Sequence, residues 1–341
     1  MKKTILAAAA AASAVALALT GCVAGEGTPA AAENPSEDGW SATTLNIDFA
    51  TYNPLSLIIK DQGWLEDALG DDVTVNWVQS AGSNKANEAL RAGAIDVGST
   101  AGSAALLARS NGSPIKVIDI YSQPNWAAIL VPADSPIASV EELAGKHIAA
   151  TKGTDPYFFL LQTLEEHGLT LDDVVVENLQ HADGKAAIEA GAVDAWSGLD
   201  PLLSTSVANG ASKIIYDNID FNSYGFLNAT EDFITNHADL AQLVVNAYEK
   251  ARAWAIENPE ETAAILAEVA GIDIEIATAV IADRTNLEVD PVPGQAQLDV
   301  LAIIGPVFVE SGDVASQDLI DKALTSLLEP TFAKAADPGA L

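Results

Sequence analysis

The sequence has 341 residues, with 48 Asp or Glu against 16 Lys or Arg, so its formal net charge is −32. A surface this acidic repels phosphate backbones and anionic lipid headgroups, which excludes nucleic acid as an expected partner. Cys22 is the only cysteine, so no disulfide can form within the chain, and stability must come from a large apolar core that this length can supply as two domains.

The first 21 residues have the pattern of a lipoprotein signal peptide. Lys2 and Lys3 precede a long apolar run, and small residues then lead to Cys22. The segment Leu19–Cys22 resembles the lipobox of bacterial lipoproteins, in which the cysteine is lipidated and becomes the mature N-terminus. We therefore predict anchoring through Cys22 at the extracytoplasmic face of the cell membrane, with an ordinary export signal as the alternative.

Residues 22–43 are small and polar and contain proline, which predicts a flexible tether between the lipid and the folded part. No later apolar run is long enough to span a bilayer, so the lipid is the expected contact with the membrane.

From residue 44 the apolar pattern alternates between strand and helix. Asn53 and Pro54 supply a capping side chain and a proline at the first helical position, which marks the start of the first helix. The βαβα order predicts a parallel sheet covered by helices. The strands of this unit are predicted at 45–50, 73–78, 95–99 and 115–121.

A second unit repeats this order from residue 127. Ser139 and Glu142 fit a capping box ahead of a short helix. Its strands are predicted at 127–131, 147–151 and 174–179, with helices starting at 155 and at about 184.

One internal similarity connects the two units. Ala89–Ser99 and Ala187–Ser197 each combine a helix end, a glycine stop and a short strand. Two lobes of similar design would place a ligand in the cleft between them, outside the carboxyl ends of the strands. Chance agreement in an alanine-rich chain is the alternative.

From residue 238 the chain is predicted to be helical and to pack back on the first lobe, so that it crosses between lobes twice. The predicted organisation is a signal peptide at 1–21, a lipid-anchored tether at 22–43, a first lobe at 44–125 and 228–341, and a second lobe at 126–227.

Three turns combine a strand end with a helix start, where free amide N–H groups and the helix dipole favour anions. These turns lie at 51–54, 99–103 and 151–156. Ordinary helix capping is the other interpretation of each turn. Tyr52, Trp126 and Trp196 are candidate walls of a cleft that these turns would face.

Several segments together resemble the substrate-binding proteins of sulfonate, taurine and nitrate ABC importers. They lie within Tyr52–Leu55, Gly63–Leu65, Trp77–Ala86, Gly98–Ala105, Thr151–Thr154, Val193–Pro201 and Arg284–Gly294. The resemblance covers about residues 45–315 and implies an α/β, two-lobed Venus-flytrap fold of the type II periplasmic binding protein class. It also implies that the lobes close on a ligand and that the closed form docks on a membrane permease served by a cytoplasmic ATPase.

The same resemblance implies a set of ligand contacts. In the first lobe they are Tyr52, Asn53, Ser80, Ser83, Ser99 and Thr100, with Ala101 in the same turn. In the second lobe they are Lys152, Gly153, Thr154 and Trp196. Trp126 and Asp200 complete the candidate site.

The ligand expected from this set is a small anion or zwitterion. A sulfonate, with three acceptor oxygens and one charge, suits hydroxyl and amide donors. If Asp155 or Asp200 faces the cleft, a zwitterion such as taurine is favoured, because its ammonium would meet the carboxylate. If both only cap their helices, a simple anion fits. Lys85 and Arg284 are extra cations that we expect at the solvated surface.

We therefore expect a solute-binding protein that delivers an alkanesulfonate or taurine to an ABC permease, with no cofactor and no metal. Another oxyanion or nitrogenous ligand (nitrate, bicarbonate, a pyrimidine precursor) and a sensory lobe without transport stay open as alternatives. An enzyme is not expected. A related branch of this fold makes a pyrimidine precursor with iron, histidine and cysteine, whereas Cys22 here lies in the lipobox and the four histidines are scattered.

Overall fold

The computed structural model describes residues 39–341. The predicted signal peptide and the lipidation site at Cys22 lie outside the described residues.

Within residues 39–341, ten strands form two five-stranded sheets. The first sheet has the order β2-β1-β3-β10-β4 and the second has the order β7-β6-β8-β5-β9. The strands are β1 (Thr44–Phe49), β2 (Thr74–Gln79), β3 (Val97–Ala101), β4 (Ile115–Ser122), β5 (Ala127–Pro132), β6 (His147–Ala150), β7 (Val175–Asn178), β8 (Ala195–Leu199), β9 (Ser212–Tyr216) and β10 (Gly225–Thr230).

Helices connect the strands and follow the last one. They are α1 (Pro54–Gln62), α2 (Trp64–Leu69), α3 (Ser83–Arg91), α4 (Gly102–Ser110), α5 (Asp155–Glu166), α6 (His181–Glu189), α7 (Leu202–Ala208), α8 (Glu231–Asn236), α9 (Ala238–Glu257), α10 (Pro259–Ala270), α11 (Ile274–Ala279), α12 (Gln295–Glu310), α13 (Gln317–Ser326) and α14 (Thr331–Lys334). Short 3₁₀ turns lie at Val140–Leu143, Leu171–Asp173 and Ile219–Phe221, and a π-helical turn at Val280–Arg284.

The first sheet is mixed: its four predicted strands run parallel to one another, and the additional strand β10, which was not predicted, runs against them. β1 runs parallel to β2 and β3, whereas β10 runs antiparallel to both β3 and β4. The reason is the return of the chain from the second sheet. Gly225, the first residue of β10, lies opposite Ala101, the last residue of β3, so a strand entering there must run against β3.

The two sheets share one design, as the internal similarity predicts. In each sheet the fourth strand of the order, β10 or β5, is the antiparallel strand between its neighbours. The similar segments contribute β3 and β8, which occupy the same central place in their sheets. The chain passes from the first sheet to the second over residues 123–126 and returns over residues 217–224. This confirms the two-lobed α/β fold.

The helices after β10 mainly cover the first lobe. α9 and α10 pack on α1, and α12 and α13 pack on α4. α12 also reaches the second lobe, where Phe308 packs on Phe158 of α5 with ring centroids 4.3 Å apart. The C-terminal helices therefore contact both lobes, which extends the prediction that they pack on the first lobe.

Two local predictions have different outcomes. Asn53 caps α1 as predicted, because its side chain accepts a hydrogen bond from the amide of Ser56. The capping box expected at Ser139 does not form. Its side chain makes no capping bond, and Glu142 instead accepts a 2.7 Å hydrogen bond from the amide of Ala138.

Residues 39–43, at the end of the predicted tether, pack against the folded part. The amide of Ser41 donates to Asp239 Oδ2 at 2.9 Å, and Ala42 is buried in the core. Among the described helices, none is both long enough and apolar enough to cross a membrane.

Candidate ligand-binding site

The carboxyl ends of β1, β2 and β8 open onto a cavity of about 230 Å³. This is the edge at which α/β sheets bind ligands. The volume is below the roughly 300–1,000 Å³ of pockets for drug-sized ligands, so the cavity suits a compact solute. Its lining comes from both lobes and from the α10–α11 region: Thr51, Tyr52, Gln79, Ser80, Ala81, Gln180, His181, Ala182, Leu199, Asp200, Pro201, Leu202, Val269, Ala270 and Ile272.

Tyr52 lines this cavity, and Trp126 packs against Tyr52 from behind the lining. Their rings meet edge to face with centroids 6.1 Å apart. The Tyr52 hydroxyl donates to the carbonyl of Ser99 at 2.9 Å, which fixes the ring against the first sheet. Both residues are at least nine-tenths buried, so the aromatic pair is a rigid wall.

Two equivalent helices begin at the cavity, one from each lobe. The amides of Ala81 and Gly82, just before α3, donate to no backbone or side-chain acceptor within residues 39–341. A Cβ at Gly82 would lie 3.0 Å from His181 Nε2 at the start of α6, so the absence of a side chain allows the close approach. The positive ends of both helix dipoles therefore favour an anion in this region.

The carboxylate of Asp155 links the two lobes and the crossover segments. Its Oδ1 accepts from the hydroxyls of Ser103, in the first lobe, and of Ser223, at 2.6 Å. Its Oδ2 accepts from the indole N–H of Trp126 at 2.7 Å and from the amide of Ser223 at 2.8 Å. Asp155 thus neither caps its own helix nor offers a free oxygen to a ligand ammonium.

The Asp155 side chain is only 2 % exposed. Burial raises the pKa of its carboxyl, while the hydrogen bonds from Ser103, Ser223 and Trp126 act in the opposite direction. Because Asp155 is also the first residue of α5, the helix dipole adds to the stabilisation of the charge.

Asp200 forms a second link between the lobes. One carboxylate oxygen accepts from the amide of Ser204 at 3.0 Å, which is the helix capping that the sequence predicts. The other pairs with the guanidinium of Arg284, which also approaches Asp217 at 3.4 Å. Arg284 is therefore partly buried in an ion pair rather than at the solvated surface as expected.

Asp48 is a fully buried carboxylate of β1 in the first lobe. Its Oδ1 accepts from the amide of Ser99 at 2.8 Å and from the Ser99 hydroxyl at 3.1 Å. Burial raises the pKa of Asp48 to about 7, although hydrogen bonds from Ser80 and Ser99 oppose this.

Several predicted residues meet around the cavity and the narrow gaps beside it. Gly153 lies at the contact between lobes, because a Cβ there would be 3.5 Å from the Asn84 side chain. The predicted residues that line these spaces are Tyr52, Ser80, Ser83, Ala101, Trp126, Thr154 and Asp200.

Other predicted residues point elsewhere. The Asn53 amide donates to Tyr248 at 3.0 Å, and Asn228 donates to the Thr100 hydroxyl at 2.8 Å. These side chains, like that of Ser99, are 0 % exposed and stabilise the first lobe instead of facing a solute.

Lys152 and Trp196 also differ from the prediction. The Lys152 ammonium lies 5.5 Å from the ring centroid of Tyr157, away from the cavity lining. Trp196 lies in the core of the second lobe, because Gly184 and Gly198 leave room for its indole. Trp196 is therefore no wall of the cleft.

Sequence reasoning missed Thr51, Gln180 and His181. Thr51 lies in the first of the three predicted turns, directly before Tyr52. The sequence does contain a signal for His181. It begins α6, which is the counterpart of α3 in the internal similarity and should therefore start at the cleft as α3 does. Among residues 39–341, no three His, Cys, Asp or Glu side chains gather as metal ligands.

The family is established by sequence comparison. The profile of the family described as NMT1/THI5 like matches residues 56–262. The chain belongs to this family. A Bacillus subtilis (strain 168) protein named as aliphatic sulfonates-binding is 30 % identical over 242 residues, covering 70 % of this chain and 72 % of that protein. An Escherichia coli (strain K12) protein of the same name is 28 % identical over 278 residues, covering 81 % and 85 %.

A solved structure gives the same fold. The alkanesulfonate-binding protein SsuA from Xanthomonas axonopodis pv. citri, bound to MOPS, matches with a TM-score of 0.74 at 24 % identity, covering 82 % of this chain and 97 % of that one. With the relatives above, this makes the chain a solute-binding protein of the ABC import class.

We predict that Asp155→Ala lowers the free energy of unfolding by about 2–4 kcal/mol, because it leaves buried donors without an acceptor. Asp155→Asn should cost less, since its carbonyl oxygen can face the two N–H donors while the two hydroxyls rotate to accept from its amide. Urea unfolding measures both. The control is Asp71→Ala at an exposed aspartate, and an equal loss in Asp155→Ala and Asp71→Ala would contradict the role of Asp155.

Asp48 should make stability depend on pH. Its folded-state pKa of about 7 lies above the ordinary 3.8, so the folded protein holds a proton that the unfolded chain releases. This stabilisation is complete below pH 4 and is lost as pH rises to about 7. The free energy of unfolding of Asp48→Asn minus that of wild type should therefore be larger at pH 8 than at pH 5, as measured by urea unfolding. A difference that does not change with pH would show that Asp48 titrates normally.

Proposed function

We propose that the protein is an extracytoplasmic, lipid-anchored solute-binding protein that delivers a small sulfonate to an ABC import permease. The observation that carries this proposal is the cavity of about 230 Å³ between two helix starts, one from each lobe, where two amides before α3 donate to no acceptor within residues 39–341. Such a site binds an anion through backbone donors and needs no Lys or Arg.

Electrostatics support an anionic solute despite the net charge of −32. Of the two carboxylates near the cleft, Asp155 has both oxygens occupied by donors, and Asp200 is paired with Arg284. Neither therefore projects an uncompensated charge at a bound anion. The same occupancy also means that a ligand ammonium would find no free carboxylate in these two residues.

The names of the relatives agree with a sulfonate. Both curated relatives are named as aliphatic sulfonates-binding, and MOPS, the molecule bound in the Xanthomonas structure, is itself a propanesulfonate. The lobes would close on the solute because it gains contacts with both at once, and the permease would recognise the closed form.

The solute class is tested by thermal shift of the purified protein with taurine, C2–C8 alkanesulfonates, sulfate, nitrate, bicarbonate and amino acids. We expect sulfonates to raise the melting temperature by about 5 °C at 100 times Kd. Ala81→Trp, which fills the cavity from an exposed turn, should abolish the shift, and Ala94→Trp at an exposed position outside the cavity should keep it. A response to nitrate, bicarbonate or amino acids without sulfonates would overturn the solute class.

The anchor is tested by Cys22→Ala. Without the lipidated cysteine, the protein should leave the membrane fraction and appear in the soluble extracytoplasmic fraction, because one acylated residue is the expected link to the bilayer. Mass spectrometry of the N-terminal peptide should find the lipid on wild-type Cys22. An unmodified Cys22, with equal membrane association of both proteins, would contradict lipid anchoring.

A further inference from the structure

His181 is a buried polar side chain at the cavity, and the fold supplies a hydrogen-bond partner to only one of its two ring nitrogens. It is 2 % exposed, begins α6 and lines the cavity opposite Ser80 and Ala81. Its Nε2 is buried and has no hydrogen-bond partner among the described residues. Leaving such an atom unpaired is costly, and because the residue lines the cavity, a ligand that enters there can supply the partner.

The protonation of His181 follows from Thr151. The Thr151 hydroxyl donates its single hydrogen to the carbonyl of Leu179 at 2.7 Å. At its other contact, 3.1 Å from His181 Nδ1, the hydroxyl oxygen can therefore only accept. The imidazole proton must lie on Nδ1, which leaves Nε2 as a lone-pair acceptor.

Burial keeps the imidazole neutral. It lowers the pKa of His181 to about 4, so at pH 7.5 the side chain carries no charge with which to attract an anion. His181 can therefore meet a solute only as an acceptor at Nε2.

Two neighbouring side-chain amides, of Asn84 and Gln180, resemble His181 in this respect. Within the described part of the chain, Asn84 Oδ1 and Gln180 Oε1 are also buried without hydrogen-bond partners. A Cβ at Gly82 would lie 2.9 Å from Asn84 Oδ1 and 3.0 Å from His181 Nε2, so these two atoms converge from opposite lobes. The amides can turn to present either end, whereas His181 cannot, because Thr151 fixes its tautomer.

We propose that His181 contacts the solute and that its Nε2 accepts a hydrogen bond from it, so that the site selects a short sulfonate that also carries a hydroxyl or amino group. This inference rests on the proposed function. The amides at the start of α3 would hold the sulfonate, and the donor group would reach across to the second lobe. A plain alkyl chain of equal length would leave Nε2 without a partner, whereas a donor group would gain a hydrogen bond there.

The test compares three solutes of similar size by isothermal titration calorimetry at pH 7.5: 2-hydroxyethanesulfonate, taurine and propane-1-sulfonate. We expect propane-1-sulfonate to bind on the order of tenfold to a hundredfold more weakly than the better of the other two, which is the range for one unpaired buried group. The comparison of 2-hydroxyethanesulfonate with taurine shows whether the preferred donor is a hydroxyl or an ammonium.

Two variants assign the selectivity to His181. His181→Phe keeps the ring but removes the acceptor, so propane-1-sulfonate should bind at least as well as 2-hydroxyethanesulfonate. Thr151→Val keeps the imidazole and frees its tautomer, which should reduce the preference several-fold and serves if His181→Phe does not fold. His147→Phe, at an exposed histidine outside the cavity, is the control and should keep the wild-type ratio.

The outcomes separate the two proposals. Equal affinities for the three solutes in wild type, or a ratio unchanged by both His181→Phe and Thr151→Val, would overturn the role of His181 while leaving sulfonate binding intact. If no sulfonate binds, the proposed function fails and this inference fails with it. Nitrogen-15 NMR of wild type should show the proton on Nδ1 of His181, and a proton on Nε2 of the free protein would contradict the inference directly.

Discussion

The arrangement of the two lobes depends on one buried carboxylate. Asp155 starts α5 in the second lobe, yet its oxygens bind Ser103 of the first lobe, Trp126 of one crossover and Ser223 of the other. A carboxylate with 2 % exposure is stable only where donors surround it, so this geometry favours the juxtaposed state of the lobes. The hydrogen bond from the Trp126 indole to Asp155 holds Trp126 in place, and Trp126 packs on Tyr52, which lines the cavity.

The internal similarity of the lobes is the basis for proposing an anionic solute in a cavity whose lining contains no Lys or Arg. α3 and α6 occupy equivalent places and begin on opposite sides of one cavity, so the positive ends of their dipoles add there. Gly82 permits the close approach of the two helices, and the side chains of His181 and Asn84 lie beside the point of contact. Our proposal assigns the anionic group of the solute to the amide donors and its second polar group to the His181 acceptor.

Much of the fold was predictable because it follows from local patterns. The strand and helix order, the Asn53 cap, the 20-residue α9 and the pairing of similar segments into two lobes are all visible as periodicity or as repeated turns. The antiparallel β10 was not predictable, because the entry point of a returning strand depends on tertiary topology. The site was predicted in part. Ser99 and Trp196 have residue types and positions that suit a binding site. The strand pleat, however, directs Ser99 into the first lobe, and Gly184 and Gly198 leave room for Trp196 in the core of the second lobe.

The central claim is that the solute lies between the lobes, at the starts of α3 and α6. A crystal structure of the protein with 2-hydroxyethanesulfonate tests it most directly. The account predicts a solute in the cavity, with sulfonate oxygens near the amides of Ala81 and Gly82 and a donor group within hydrogen-bond distance of His181 Nε2. A solute bound elsewhere, for example in the groove between α5 and α12 beside Leu161 and Val307, would contradict it.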